Sequence, residues 1–403
     1  MDQRSVVTLL ILLLGAQPVA TDLYLPALPT LAAALGAGAG TAQLSLSVLI
    51  VSFGIAQLAW GPVSDRFGRR PVLLAGLALY SAAAIGAGAA PDVGWLIAWR
   101  GVQGLGLAAT VTCARSMIRD LYEPREGARV MSRALGGLGV LAMASPMLGG
   151  VLVQAWHWRA TLGAVALFGL ATLAFAAVRY RETLPRPDPR ATEPRRIAAT
   201  WRRIGGHPTF VAWCALLCAS WGGLFALLSS SSFVFIELFG TGRAVFGALL
   251  ASCSVSYIAG TLLCRRLLAH GNAARAVALG GLLSLAGGAL LAAVAFSGAP
   301  TVAAVMPALW LYGAGHGINQ PCATAGVTSA FPESAGSAAA LSGFAMMATA
   351  FCVGLALAAM PGRTMLPLAT AMAAFGAAAA VVAWTLVRLH GDRPVPGPAP
   401  HRL

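Results

Sequence analysis

The chain has 403 residues, 58% of them hydrophobic and only 10% charged. A soluble domain is about 25% charged, so this composition excludes a water-soluble globular protein and points to a chain that crosses a membrane many times. All the basic residues, 27 in number, are arginines; against 13 acids they leave a net charge of +14. A P-loop ATPase, a retinal pump and a pyridoxal enzyme each need a lysine amine, and the chain has none.

Mean hydropathy is +0.77. In chain order the apolar runs predict spans at 6–34, 42–60, 71–90, 93–114, 130–154, 159–178, 209–236, 244–264, 276–296, 301–324, 336–360 and 365–387. Twelve spans of about 20 residues need roughly 240 apolar positions, close to what 58% of 403 supplies. The expectation is an all-α membrane protein of twelve helices in two six-helix halves, 1–178 and 209–390. Between them, 179–208 reads as a cytoplasmic basic linker with no hydrophobic period, and 391–403 as a disordered cytoplasmic tail.

Orientation follows from the arginines. With the N-terminus inside, the inner segments hold all but four of them; Arg159, Arg243 and Arg363 lie outside and Arg100 lies within a span. This asymmetry is the positive-inside pattern, and it places both termini in the cytoplasm. The same placement in short loops excludes a nucleic-acid surface. The opening run continues past Leu23 to Leu35, too long for a cleaved signal segment. The seven cysteines include no CxxC pair and read as small packing residues, so neither a metal nor another cofactor is expected. Gly61 and Gly260 begin similar segments that close spans 2 and 8, a faint sign of a repeat.

Two charges sit deep within spans. Asp22 lies eighteen residues from Arg4, about 27 Å along a helix, and Arg100 lies fifteen residues before Arg115, about 22 Å. Spans 1 and 4 run in opposite directions, so both charges fall at similar depth. An intramembrane charge costs several kcal/mol unless it meets water or a partner. Two readings stand: a proton-linked site in which Asp22 and Arg100 meet or share a cavity, or a static ion pair that fixes helix register. Gln103 and Gly104 extend the polar face of span 4. In span 10, His316 with Asn319 and Gln320 forms either a cavity-lining stripe or a set of interhelical hydrogen bonds.

Three further features carry alternatives. The segment Gly61-Pro-Val-Ser-Asp65-Arg66-Phe-Gly68-Arg69-Arg70 joins spans 2 and 3, as a latch that breaks when the halves rock or as a plain orientation loop. In span 5, Pro146, Gly149 and Gly150 read as a hinge or as close packing. Glu237, beyond Ser229 to Ser232, reads as solvated.

The stretch Gly61 to Arg70 resembles the GxxxDRxGRR signature of the major facilitator superfamily. Asp22-Leu-Tyr24-Leu-Pro-Ala-Leu-Pro29 and Arg100-Gly-Val-Gln103-Gly104 resemble the span 1 and span 4 motifs of its Bcr/CflA branch of drug:proton antiporters. Arg119-Asp120-Leu-Tyr122, Trp156-His-Trp-Arg159 and Leu341-Ser-Gly343 are similar to that branch too, and Pro146 with Gly149-Gly150 to the span 5 antiporter motif. Ser145 stands where that motif often has glycine, and Leu14 where one relative type has a second acid. The resemblance implies a monomeric proton-coupled antiporter of the bacterial inner membrane that exports small amphipathic drugs, chloramphenicol-like or bicyclomycin-like. Asp22 and Arg100 are then the proton-coupling pair. Tyr24, Gln103, His316, Asn319 and Gln320 line the substrate cavity. Gly61, Asp65, Arg66, Gly68, Arg69 and Arg70 form the gating loop. A uniporter or a proton-coupled sugar or metabolite transporter is the alternative on the same scaffold; an enzyme is not expected, because no nucleophile and base share a depth.

Overall fold

The computed structural model describes residues 2–184, 186–270, 272–298, 300–360 and 364–391. The expected tail from 392 onward lies outside the described residues. The helices are α1 (Gln3–Thr21), α2 (Leu28–Ala34), α3 (Ala39–Phe67), α4 (Arg69–Gly88), α5 (Val93–Leu121), α6 (Pro124–Ala155), α7 (Trp158–Arg179) and α8 (Pro194–Gly205). They continue with α9 (Pro208–Ser232), α10 (Arg243–His270), α11 (Ala273–Phe296), α12 (Val302–Ser329), α13 (Ala335–Ala358), α14 (Leu366–Val382) and α15 (Arg388–His390). With α1 and α2 forming one broken span, and short α8 and α15 set aside, twelve membrane-length segments remain. Ten are long and apolar enough to cross a bilayer by length and composition. The other two, α5 and α12, are 29 and 28 residues long but carry Arg100 and Gln103, and His316, Asn319 and Gln320.

The first span breaks for a chemical reason. Pro26 and Pro29 have no N–H to continue a helical ladder, so α1 stops at Thr21 and a 3₁₀ turn, Leu25–Ala27, leads into α2. Asp22 stands at the break.

The two halves repeat one another. In the first, α3 packs on α5, α4 on α5 and α7, and α1 on α6; in the second, α10 packs on α12, α11 on α12 and α14, and α9 on α13. In lipid the hydrophobic effect does not drive helices together, so close approach through small residues supplies the contact. A Cβ on Gly104 would run into the Leu49 carbonyl of α3, and one on Gly317 into the Tyr257 carbonyl of α10. The residue before each of these matching glycines is polar: Gln103 and His316.

The halves meet along α3/α13 and α6/α10. For reference, the end of the bundle that holds Arg66 to Arg70 and the linker is the latch face. At the far face the contacts between halves reach backbone, Gly40 against Ala358 and Gly150 against Arg243; within the first half Gly149 likewise meets Leu23. Nearer the latch face, Gly136 and Gly139 of α6 have nothing within 4 Å, and a cleft of about 380 Å³ opens between Gln3, Arg4, Val7, Thr8 and Arg133. Close backbone contacts join the halves at the far face, while the cleft toward the latch face lies between α1 and α6 of the first half. α6 runs unbroken through Pro146, so Gly149 and Gly150 act in this conformation as points of close contact.

The linker departs from its sequence reading, because it contains α8. Ile197, Trp201 and Ile204 recur at i, i+4 and i+7, one helical face, and Ile204 is fully buried in the core of the second half. Arg195, Arg196, Arg202 and Arg203 stay exposed.

Candidate functional site

Arg100 is fully buried. Its Nη1 donates to Gln103 Oε1 at 2.7 Å, and its Nη2 to the Ala20 carbonyl at 2.8 Å, at the broken end of α1. Its guanidinium carbon lies 4.3 Å from the centroid of the Tyr24 ring. The Tyr24 hydroxyl, in turn, is 2.8 Å from Ser45 Oγ of α3. The guanidinium therefore grips the break in span 1 from both sides of Asp22.

The direct Asp22–Arg100 ion pair is not made. Asp22 is half-buried, and its Oδ1 accepts the Thr21 hydroxyl at 2.7 Å. Depth along two spans was legible in the sequence; the direction in which each side chain leaves its helix was not. Two buried donors remain without partners here, Arg100 Nε and Gln103 Nε2. An unmet buried donor costs about 1–3 kcal/mol.

The expected cavity stripe divides. Tyr24, Gln103 and Asn319 are closed off between helices rather than lining open space. Asn319 turns behind α12, its Nδ2 toward Ser284 Oγ of α11 at 3.4 Å and its Oδ1 unpartnered. His316 pairs through Nδ1 with Ser220 Oγ of α9 at 2.8 Å. Gln320 is half-exposed and accepts the Tyr257 hydroxyl at 2.8 Å. Glu237 is exposed within a π-helical turn at Phe233–Leu238.

At the latch face, Gly61 lies within α3 rather than in a turn. The turn is made by Gly68 alone, at φ +99°, which a side chain rarely adopts. Arg69 is buried between carboxylates: it pairs with Asp65, and its Nε lies 3.0 Å from Asp120 Oδ2. Arg119 Nη2 is 3.9 Å from Asp65. Arg70 donates to the Tyr180 and Ala177 carbonyls at the end of α7, and Arg66 to Thr192 of the linker at 2.6 Å.

Sequence reasoning missed Glu182. Its carboxylate accepts the backbone N–H groups of Arg69 and Arg70 at 2.9 and 3.0 Å, closing the start of α4. Burial alone raises its pKa, but hydrogen bonds from the backbone of Leu184, Arg70, Arg69 and Thr183 outweigh that and hold it below the usual carboxylate value. The network thus ties α3, α4, α5, α7 and the linker together within one half, rather than bridging the halves as a latch between them would. Arg115, one turn before Arg119 on α5, is exposed and makes no ion pair among the described residues.

Residues 10–359 match the model of the Major Facilitator Superfamily. The chain belongs to that superfamily. It is 30% identical over 254 residues to the uncharacterised MFS-type transporter YdgK of Bacillus subtilis (strain 168), 62% of each chain. It is 31% identical over 232 residues to multidrug resistance protein D of Escherichia coli (strain K12), 57% of this chain and 58% of that one. A chloramphenicol resistance protein of Pseudomonas aeruginosa matches at 29% over 325 residues, 79% and 75% of the two chains. The first two matches span about three fifths of those relatives' length. Among solved structures, a D-xylose–proton symporter superposes with a TM-score of 0.75 at 16% identity, covering 98% of this chain and 99% of that one, a likeness of fold. As a member of that superfamily with membrane-length helices, the protein is a multi-pass membrane protein.

Proposed function

We propose that this protein is a drug:proton antiporter of the Bcr/CflA type, exporting small amphipathic compounds of the chloramphenicol or bicyclomycin kind. The observation that carries the reading is Asp22: a half-buried carboxylate at the break of span 1, flanked by the two residues that Arg100 holds. The names of the relatives, chloramphenicol resistance protein and bicyclomycin resistance protein homolog, support the substrate class.

In this reading Asp22 takes up and releases the coupling proton. Ionised, it turns toward the unmet donors Arg100 Nε and Gln103 Nε2; protonated, it needs no counter-charge and turns away. Each state favours a different packing of the broken span against α5 and α6. The halves, 1–178 and 209–390, alternate around the central cavity, opening in turn at the far face and at the latch face. That face is cytoplasmic, both termini lie there, and a monomer in the inner membrane suffices. One proton per cycle supplies about 2.3 kcal/mol per 100 mV.

The test is a susceptibility panel in a drug-hypersensitive bacterial host. Wild type is expected to raise resistance to chloramphenicol or bicyclomycin, and an Asp22→Asn form at equal membrane abundance to raise none. Equal resistance from both forms would refute the assignment.

A further inference from the structure

In the second half, α12 packs against both α9 and α10. At one level these three helices present Trp221, Tyr257 and His316. The imidazole centroid lies 5.8 Å from the Trp221 ring and 5.6 Å from the Tyr257 ring, at tilts of 45° and 36°. Trp221 and Tyr257 are half-exposed, while His316 beneath them is only 2% exposed. Two aromatic walls thus stand over a polar floor. The floor is fixed, because Nδ1 of His316 is held by Ser220, and the Tyr257 wall is fixed through its bond to Gln320. The Trp221 wall is unfinished: its Nε1–H is buried and has no acceptor.

We propose that this cleft binds the flat, uncharged ring of an aryl substrate, with an oxygen of that substrate (nitro or carbonyl) accepting the Trp221 N–H. The inference rests on the drug-export reading and names the substrate class of that site. Three arguments support it. Ring pairs in offset or edge-to-face contact contribute beyond the area they bury. An acceptor brought by the ligand removes the penalty of the unmet indole donor. Small-molecule sites join apolar walls to a few placed polar groups. The sequence also decides the charge. From Pro208 to Ile236, and through α10, α11 and α12, there is no acidic residue. A lipophilic cation entering the cleft finds ring faces but no acidic side chain on the helices that form it, the nearest candidate being Asp22 of the first half, which the proposed function gives to the proton.

The test is equilibrium binding to the full chain in lipid nanodiscs, with three radiolabelled probes: chloramphenicol (a nitroaryl), bicyclomycin (no aromatic ring) and tetraphenylphosphonium (an aryl cation). Wild type should bind chloramphenicol. Trp221→Leu and Tyr257→Leu should each weaken it about tenfold or more, and Trp221→Phe, which keeps a ring but loses the donor, by an intermediate factor. Bicyclomycin should change less than about twofold. Variants that elute and melt as wild type does qualify for comparison; Trp221→Phe is the mildest of them. The cleft is overturned if chloramphenicol binds the folded variants as it binds wild type, if bicyclomycin weakens equally, or if the cation binds tightest and is lost in the same variants. Wild type binding none of the three would overturn the drug-export reading itself, and the cleft with it.

Discussion

The guanidinium of Arg100 lies over the ring of Tyr24, its central carbon 4.3 Å from the ring centroid. The two residues come from α5 and from the turn after α1, and between them they clasp the point where span 1 stops being a helix. A guanidinium does this better than an ammonium: it is planar, stacks on a ring and donates in two directions at once.

Arg100→Lys should therefore fail despite keeping the charge. It cannot reach Gln103 and the Ala20 carbonyl together, and transport is expected to drop at least about tenfold. Tyr24→Phe keeps the ring and loses only the bond to Ser45, about 1 kcal/mol. Thermal unfolding and drug efflux, measured on the same preparations, should rank Tyr24→Phe near wild type and Arg100→Lys well below.

The far-face seal depends on the absence of side chains. A Cβ on Gly150 would enter the Arg243 backbone of α10 in the other half. Gly150→Val is expected to prevent closure at that face, raise thiol labelling of a cysteine placed there, and reduce transport to background. Gly139→Ala, at a position with nothing within 4 Å, should transport as wild type does.

Glu182 sets a pH dependence at the other face. Its pKa is held below the usual carboxylate value, so its contribution to holding the linker on α4 is present above about pH 4.3 and is lost as pH falls through its lowered value. Hydrogen exchange, corrected for the intrinsic rate, should show the Arg69 and Arg70 amides protected near neutral pH and released in acid. Glu182→Gln should expose both amides at every pH.

Sidedness is open to labelling in intact cells. In a cysteine-free background, Glu237→Cys at the far face should react with an impermeant maleimide added outside. Arg190→Cys in the linker, 79% exposed, should react only after permeabilisation. The reverse pattern would invert the orientation proposed here.

Much of this was legible in the residues. Asp22 and Arg100 stand out because each is the one charge inside its apolar run, between Arg4 and Asp65 and between Asp92 and Arg115, and the arginine asymmetry and the ten-residue loop after span 2 set the architecture. Azimuth was harder to read. Asn319 and Gln320 follow His316 by three and four positions, so they leave the helix about 100° apart; one faces α11 and the other Tyr257. Gly61 opens a loop-like motif, yet α3 runs on to Phe67. Trp221 and Tyr257 were invisible, since an aromatic in an apolar run faces lipid as readily as a cleft. Helix α8 was missed because its charges mask a three-residue apolar stripe.

The claim that Asp22 carries the coupling proton meets its most direct test in proteoliposomes with a trapped pH indicator. Under an imposed pH gradient, addition of the exported drug should trigger proton movement with wild type. Asp22→Asn should bind the drug and exchange it across the membrane without moving protons. Drug-triggered proton flux at the wild-type rate through Asp22→Asn would contradict the account.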